Sequence, residues 1–273
     1  MLLVTMHAPA PAQGQDFPAS PPAPAAASTA SAPRVLVISA HPDLRSSRVN
    51  RRLTEAVRSA ARRQPGIELR ELYLRYPDFA IDVGAEQAAL ALADLIVWQH
   101  PIHWYAMPAL MKHWVDEVLT HGWAYGHAGT ALAGKALWLV ASTGAPEAAY
   151  HPRGYNRYFF DAFLPPYEQT AALCGLRFLP PLLVHGAHRI ALAELSDLAC
   201  TYEKRLAGWP DTAVWPELDE LANCDACLVP EQDRPTAEPP AARLGRALEA
   251  VASAMQIRLA PAGQGADHDH PER

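Results

Sequence analysis

The run His41-Pro-Asp-Leu-Arg-Ser-Ser-Arg-Val-Asn50 places two hydroxyls and an amide where an apolar stretch gives way to a helical one. Backbone N–H groups at a helix start, with the helix dipole and hydroxyl donors, suit a single phosphate group. Ser46, Ser47 and Asn50 are the candidates, with Arg48 adding positive charge. Ordinary N-capping by Ser46 or Ser47 accounts for the same residues without a ligand. The run contains neither GxGxxG nor the GxxxxGK motif of nucleotide triphosphate loops.

A second run, Gln99-His-Pro-Ile-His-Trp-Tyr-Ala-Met-Pro108, sets Ile102, His103, Trp104 and Tyr105 together. Trp104 and Tyr105 can wall a flat aromatic ligand, or equally plug the core beneath a loop, because pockets and cores use the same residues. A third run, Ser142-Thr-Gly-Ala-Pro-Glu-Ala-Ala-Tyr-His151, begins with four small residues, Ser142, Thr143, Gly144 and Ala145. Small side chains let backbone N–H groups come close to a ligand. Tyr150 and His151 can donate hydrogen bonds to charge developing on a substrate, or serve as satisfied surface residues.

Other reactive residues form no constellation. Cys224-Asp-Ala-Cys227 is a CxxC in an acidic stretch, without a second pair or an adjacent histidine, so zinc is not expected. His100, His103, His113, His121 and His127 cluster in sequence but lack HxxxH or HExxH spacing, so no metal site is expected.

The three runs recur because the elements around them recur. Val35–Ile38 reads as a strand buried on both faces. Val49, Leu53, Ala56, Val57 and Ala60 then repeat at helical spacing. Ile67–Leu72 is a second strand and Glu86–Ala93 a helix. Leu95–Trp98 is a third strand, followed by a helix from Pro108 to His121. Ala136–Ala141 is a fourth strand, followed by a helix over Asp161–Cys174 that stops at Gly175. Arg177–Val184 is a fifth strand, placed at an edge by Pro180 and Pro181. Leu192–Leu206 is a last helix, ending at Gly208. Such alternation predicts an α/β fold, a doubly wound five-stranded parallel sheet with helices on both faces. Ligands of such sheets bind outside the carboxyl ends of the strands, and the three runs follow strands one, three and four.

Outside residues 34–208 the pattern fails. Residues 1–33 hold seven prolines and ten alanines and are expected to be a disordered extension. Residues 209–273 form an acidic tail. They carry 12 acidic and 5 basic residues, a net of −7, whereas residues 1–208 carry 17 acidic and 18 basic, a net of +1. Leu244, Leu248, Val251, Met255 and Leu259 predict one amphipathic helix over 241–259. A body so nearly neutral has no electrostatic case for binding nucleic acid. Four cysteines in 273 residues are no disulfide scaffold, and no apolar run reaches the length of a membrane span. No secretory signal is read at the start, and a cytoplasmic protein is expected.

These runs also carry a resemblance. Tyr76-Pro-Asp-Phe79, Asp94-Leu-Ile-Val-Trp-Gln-His-Pro101, His121-Gly-Trp-Ala-Tyr-Gly126, Gly129-Thr-Ala-Leu-Ala-Gly-Lys135 and Gly154-Tyr-Asn-Arg157 resemble the ancillary proteins of glutathione-regulated potassium-efflux systems. Those belong to the NAD(P)H:quinone oxidoreductase family, which has a flavodoxin-like fold. Leu164–Ala171 and Leu173–Gly175 extend the match, which runs from about Arg34 to about Leu206.

The resemblance implies a homodimer that binds FMN, or alternatively FAD, takes hydride from NAD(P)H and passes two electrons to a quinone by ping-pong kinetics. It places His41 and Ser47 to Asn50 at the phosphate, Ile102 to Tyr105 along the flavin ring, and Ser142 to Ala145 at its pyrimidine edge. Tyr150 and His151 fall where the family supplies polar groups over the flavin. The family's third loop is typically Thr-Thr-Gly-Gly-Gly; here Ser142-Thr-Gly-Ala-Pro146 stands instead. Pro146 has no N–H to give, and Ala145 fits only with a negative φ. The resemblance equally implies a regulatory subunit that activates a potassium-efflux antiporter, peripheral at the inner membrane. A passive electron carrier is a third, more distant reading.

Overall fold

The structure, a computed structural model, describes residues 34–222. The N-terminal extension, Cys224 and Cys227, the 241–259 helix and the chain end all lie outside the described residues. The chain divides into two compact units at Val214/Trp215.

The first unit is built on five parallel strands: β1 (Val35–Ser39), β2 (Ile67–Glu71), β3 (Leu95–Pro101), β4 (Ala136–Ser142) and β5 (Arg177–Val184). Their order in the sheet is β2-β1-β3-β4-β5. The chain therefore leaves β1 toward one edge and returns to β3 on the other side of β1, which makes the β1/β3 boundary the switch point. Every residue of β1, β3 and β4 is buried, as apolar runs without alternation predict for central parallel strands. The edge strands carry the charges and the prolines: Glu68 and Arg70 on β2, Pro180 and Pro181 on β5.

The helices are α1 (Arg48–Arg63), α2 (Leu72–Arg75), α3 (Val83–Leu92), α4 (Ala109–Val118), α5 (Pro165–Leu173) and α6 (Leu192–Ala207). α1 and α6 pack side by side. The buried face of α1 is Val49, Leu53, Ala56, Val57 and Ala60, with Asn50 and Thr54 as its polar members. On the opposite face, Leu90, Leu110, Met111, Trp114, Val118 and Tyr167 close over Ile38, Trp98 and Leu139. The second unit shows one short helix, α7 (Glu217–Ala222). No helix among the described residues is long and apolar enough to cross a membrane.

Several sequence boundaries move for local reasons. Leu72 opens α2 rather than closing β2. Pro108 is the N-cap of α4, and that helix stops at Val118, short of His121. α3 starts at Val83, ahead of Glu86, because the Asp82 side chain accepts from the Ala85 N–H. The stretch expected to be one helix from Asp161 is two pieces, a 3-10 turn over Phe160–Phe163 and then α5. Pro165 and Pro166 lack the N–H groups that would continue the first piece, and suit the first turn of the second. α5 ends as Gly175 predicts. Gly175 sits at φ +67, its N–H donates to Ala172, and the Leu176 N–H donates to Ala171, a complete Schellman motif.

Candidate functional site

Hydrogen bonds draw the three runs together at the carboxyl ends of β1, β3 and β4. The Ile102 N–H donates to the Ser142 carbonyl (2.8 Å), carrying the β3/β4 ladder into both loops. The Asn50 amide donates to Ser142 Oγ (2.8 Å), tying the first turn of α1 to the end of β4. Asn50, Ser142 and Thr143 are buried, so their side chains build the floor.

The first loop is capped and still open to a ligand. Ser47 is the N-cap of α1, and its Oγ accepts from the Asn50 N–H (3.1 Å). The N-capping reading is thus fulfilled, yet the Ser47 hydroxyl proton has no acceptor among the described residues. Among the described residues, the Arg48 and Val49 amides have no acceptor, as the first amides of any helix lack one. His41 Nδ1 accepts from the Asp43 N–H (3.1 Å), so the neutral ring carries its proton on Nε2. Burial, and then the neighbouring His103, hold the His41 pKa below its ordinary value. The two imidazoles meet edge to face at 6.3 Å. Arg48 is engaged elsewhere: its guanidinium donates to the carbonyls of His188 and Ile190 (both 2.9 Å) and anchors the connection after β5.

The second loop is a tight turn held under strain. His103 and Ala106 exchange backbone hydrogen bonds in both directions. The two residues between them, Trp104 (φ +49) and Tyr105 (φ +64), are both left-handed. That is a type I′ turn, normally made by Asn and Gly. Bulky residues in that region cost about 1–3 kcal/mol each and collect at functional sites. Trp104 is 93% exposed. Tyr105 stacks on Phe163 (5.2 Å, 22°), and its hydroxyl reaches Asn156 Oδ1 at 3.4 Å.

Among the described residues, the amides of Gly144 and Ala145 have no acceptor. Ala145 is not among the positive-φ residues, so it fits where the resembled family carries glycine. Pro146 starts a 3-10 turn, where a missing N–H costs nothing. Tyr150 is buried against Phe160, Phe163 and His185, and burial raises its phenol pKa. His151 makes other contacts: Nδ1 accepts from the Arg153 N–H, and its ring meets Phe159.

Three residues of this region escaped the sequence reading: Asn156, Phe163 and His185. Asn156 lay inside the Gly154-Tyr-Asn-Arg157 motif without a role. His185 directly follows β5, and the rule that ligands gather at strand ends was applied only to β1, β3 and β4. The histidine cluster disperses, with His100 buried, His113 bonded to the Phe79 carbonyl and His121 against Tyr125.

A cavity of about 470 Å3 opens on the β2 side of the first loop, lined by His41, Asp43, Arg45, Arg51, Arg58 and Tyr73 among others. It does not reach the second and third loops. Those two, with the start of α1, border the carboxyl ends of β1, β3 and β4, a bay edged by the Arg48, Val49, Gly144 and Ala145 amides, which have no acceptor among the described residues, and by the Trp104-Tyr105 turn. Such a donor set fits a planar ring with carbonyl edges joined to a phosphate.

The model of a family described as flavodoxin-like fold matches residues 33–206. General stress protein 14 of Treponema denticola, solved in complex with FMN, is 37% identical. The alignment covers 67% of this chain and 99% of that one, with a TM-score of 0.58. A protein described as NADPH-quinone reductase from P. pentosaceus is 29% identical, covering 63% and 96%, with a TM-score of 0.55. A protein described as a thermophilic tryptophan halogenase from Streptomycin violaceusniger is 43% identical, covering 62% and 96%, with a TM-score of 0.57.

Proposed function

The chain belongs to the flavodoxin-like fold family, and from that premise we propose that it is a flavin-dependent NAD(P)H:quinone oxidoreductase. The neighbours' named activities differ, so the fold alone does not select the reaction. The observation that carries the reading is the meeting of three loops at the strand ends: the amides of Arg48, Val49, Gly144 and Ala145 without acceptors among the described residues, and the strained, exposed Trp104-Tyr105 turn. The FMN held by the Treponema protein supports FMN as the cofactor, with FAD the alternative.

Bound there, the flavin supplies hydride chemistry: NAD(P)H and a proton enter, NAD(P)+ leaves, and a quinone departs as hydroquinone. The chain's own residues bind and orient. The Arg48 and Val49 amides, the Ser47 hydroxyl and the His41 Nε2–H hold the phosphate. Arg48 also fixes the β5–α6 connection beside it. Trp104 and Tyr105 hold flat rings, with Ile102 and His103 at the base of their turn. The Gly144 and Ala145 amides donate to the carbonyl edge, where preorganised N–H groups favour added negative charge. Tyr150, buried with its hydroxyl beside Thr143, keeps its proton at neutral pH, and it and His151 are the polar groups nearest to hand for the acceptor. One bay serves donor and acceptor in turn, which gives ping-pong kinetics.

Trp104 on the second loop, and Tyr155, Tyr158 and Phe159 on the stretch after the third, are exposed. A second subunit covering these rings would complete the site, which supports a homodimer.

The test is the visible spectrum of the purified protein. Flavin bands that bleach with NAD(P)H and return with a quinone are expected, with parallel initial-velocity lines. A protein that stays colourless and binds neither FMN nor FAD would overturn the reading. Intersecting lines would remove the ping-pong step alone.

A further inference from the structure

The end of β5 adds a residue to this site. Thr143 Oγ donates to the Ala145 carbonyl at 2.8 Å and stands 3.0 Å from His185 Nδ1. A hydroxyl has one proton, and the carbonyl can only accept, so the proton goes to Ala145. Thr143 Oγ is therefore the acceptor in its second contact, and His185 Nδ1 must carry hydrogen. The tautomer follows: neutral His185 is protonated on Nδ1 and bare on Nε2.

Three backbone bonds run beside this side-chain chain. Thr143 N–H donates to Val184, Ala187 N–H to Thr143, and Gly186 N–H to Ala145, all at 2.9 Å. They clamp the third loop onto the residues after β5, and the free amides of Gly144 and Ala145 lie inside the clamped stretch. The His185 ring is itself gripped by Tyr150 and Phe160, each at 5.3 Å. Burial lowers its pKa, which keeps it neutral at pH 7.

We propose that His185 is a positioning residue for the flavin site: its Nδ1–H orients Thr143, and Thr143 fixes the Gly144 and Ala145 amides on the pyrimidine edge. This rests on the flavin reading above. It also assigns Thr143 the role of a hub rather than a direct flavin contact.

The experiment pairs three substitutions of His185 with two readouts. An Asn side chain places its amide nitrogen near the position of Nδ1, a Gln near that of Nε2, and Phe keeps the ring but no donor. FMN dissociation constants are measured by fluorescence titration of the apoprotein, with thermal melting of the same samples. His185→Phe and His185→Gln should weaken FMN about tenfold, and His185→Asn should stay within about twofold of wild type. Thr143→Val should weaken FMN similarly, and the Thr143→Val/His185→Phe pair no further than Thr143→Val alone.

Nitrogen NMR of the apoprotein reads the tautomer without any flavin, and a protonated Nδ1 with a bare Nε2 is expected. A protonated Nε2 there, or His185→Asn failing as badly as His185→Phe, would overturn the proposal. So would a His185→Phe protein that melts lower yet binds FMN as wild type does, since that is a packing role. Wild-type protein that binds no flavin overturns the parent reading, and this one with it.

Discussion

Two buried polar networks lie against this sheet, and they are built on opposite principles. Around Glu86 the network is built on charge and closed. Glu86 is fully buried, and its Oε1 accepts from Arg70 (2.7 Å) and the Tyr76 hydroxyl (2.6 Å) while Oε2 accepts from Trp114 Nε1 (3.1 Å). Four elements, β2, α2, α3 and α4, meet on one carboxylate. Around Gln99 everything is neutral. Its amide donates to Thr54 (2.8 Å), its carbonyl accepts from Tyr202 (3.0 Å), and Asn50 extends the set to Ser142. The charged network holds a corner with no proposed ligand role. The neutral one lies beneath the bay, where the ligand brings its own charge. A fixed charge there would add to or oppose the ligand's own, and the dry interior would magnify the effect.

Breaking the charged network should cost most. Glu86→Gln takes the buried carboxylate from Arg70, Tyr76 and Trp114 and leaves Arg70 only the more exposed Glu68, and loss of one partner of a buried pair costs about 3–5 kcal/mol. Urea unfolding should show that loss, while the FMN dissociation constant of the folded protein stays within about twofold. Loss of FMN binding in a protein that is still folded would erase the division between the two regions.

A second prediction concerns His100, the neighbour of Gln99 on β3. Successive strand residues face opposite sides, so His100 points to the face that Glu86 occupies. It stacks on Tyr167 (5.7 Å), its Nδ1 bonds the Pro101 carbonyl, and its buried Nε2 has no partner among the described residues. Burial pushes its pKa down to about 4. The unfolded chain then takes up a proton below pH 6.5 that the native state refuses. Stability should therefore fall as pH drops from about 6.5 to about 4 and level off beneath. Between pH 7 and 5 the loss is about 2 kcal/mol. His41 and His185, also lowered by burial, push the same way. His100→Phe keeps the stacking and should flatten the slope; an unchanged slope would place the acid sensitivity elsewhere.

Periodicity shows different parts of this molecule with different clarity. The central strands are apolar runs, the edge strand has its prolines, and Gly175 announces its helix end, so the sheet and its five strands read directly from the residues. The type I′ turn did not, because Trp104 and Tyr105 are the wrong residues for it. A site that overrides local preference hides from rules built on that preference. Arg48 shows more than its position did: that position suggested charge at the phosphate, while the length of its side chain lets it reach the carbonyls of His188 and Ile190. His185 was invisible because its meaning comes from Thr143, 42 residues away in sequence.

The smallest effect tests the neutral network against itself. Thr54 and Asn50 both face inward from α1, one turn apart. The Thr54 hydroxyl bonds Ser39 and Gln99, whereas Asn50 donates to Ser142 at the root of the third loop. Each substitution, Thr54→Val and Asn50→Ala, removes hydrogen bonding worth about 1 kcal/mol, so the two should unfold at similar urea concentrations. Their FMN affinities should separate: Thr54→Val close to wild type, and Asn50→Ala weaker by about fivefold, roughly 1 kcal/mol. If both lose affinity equally, the network acts as one rigid block and neutrality beneath the bay is a packing solution. If only Asn50→Ala loses it, the network divides where α1 meets the loop, and the polar floor is part of the site.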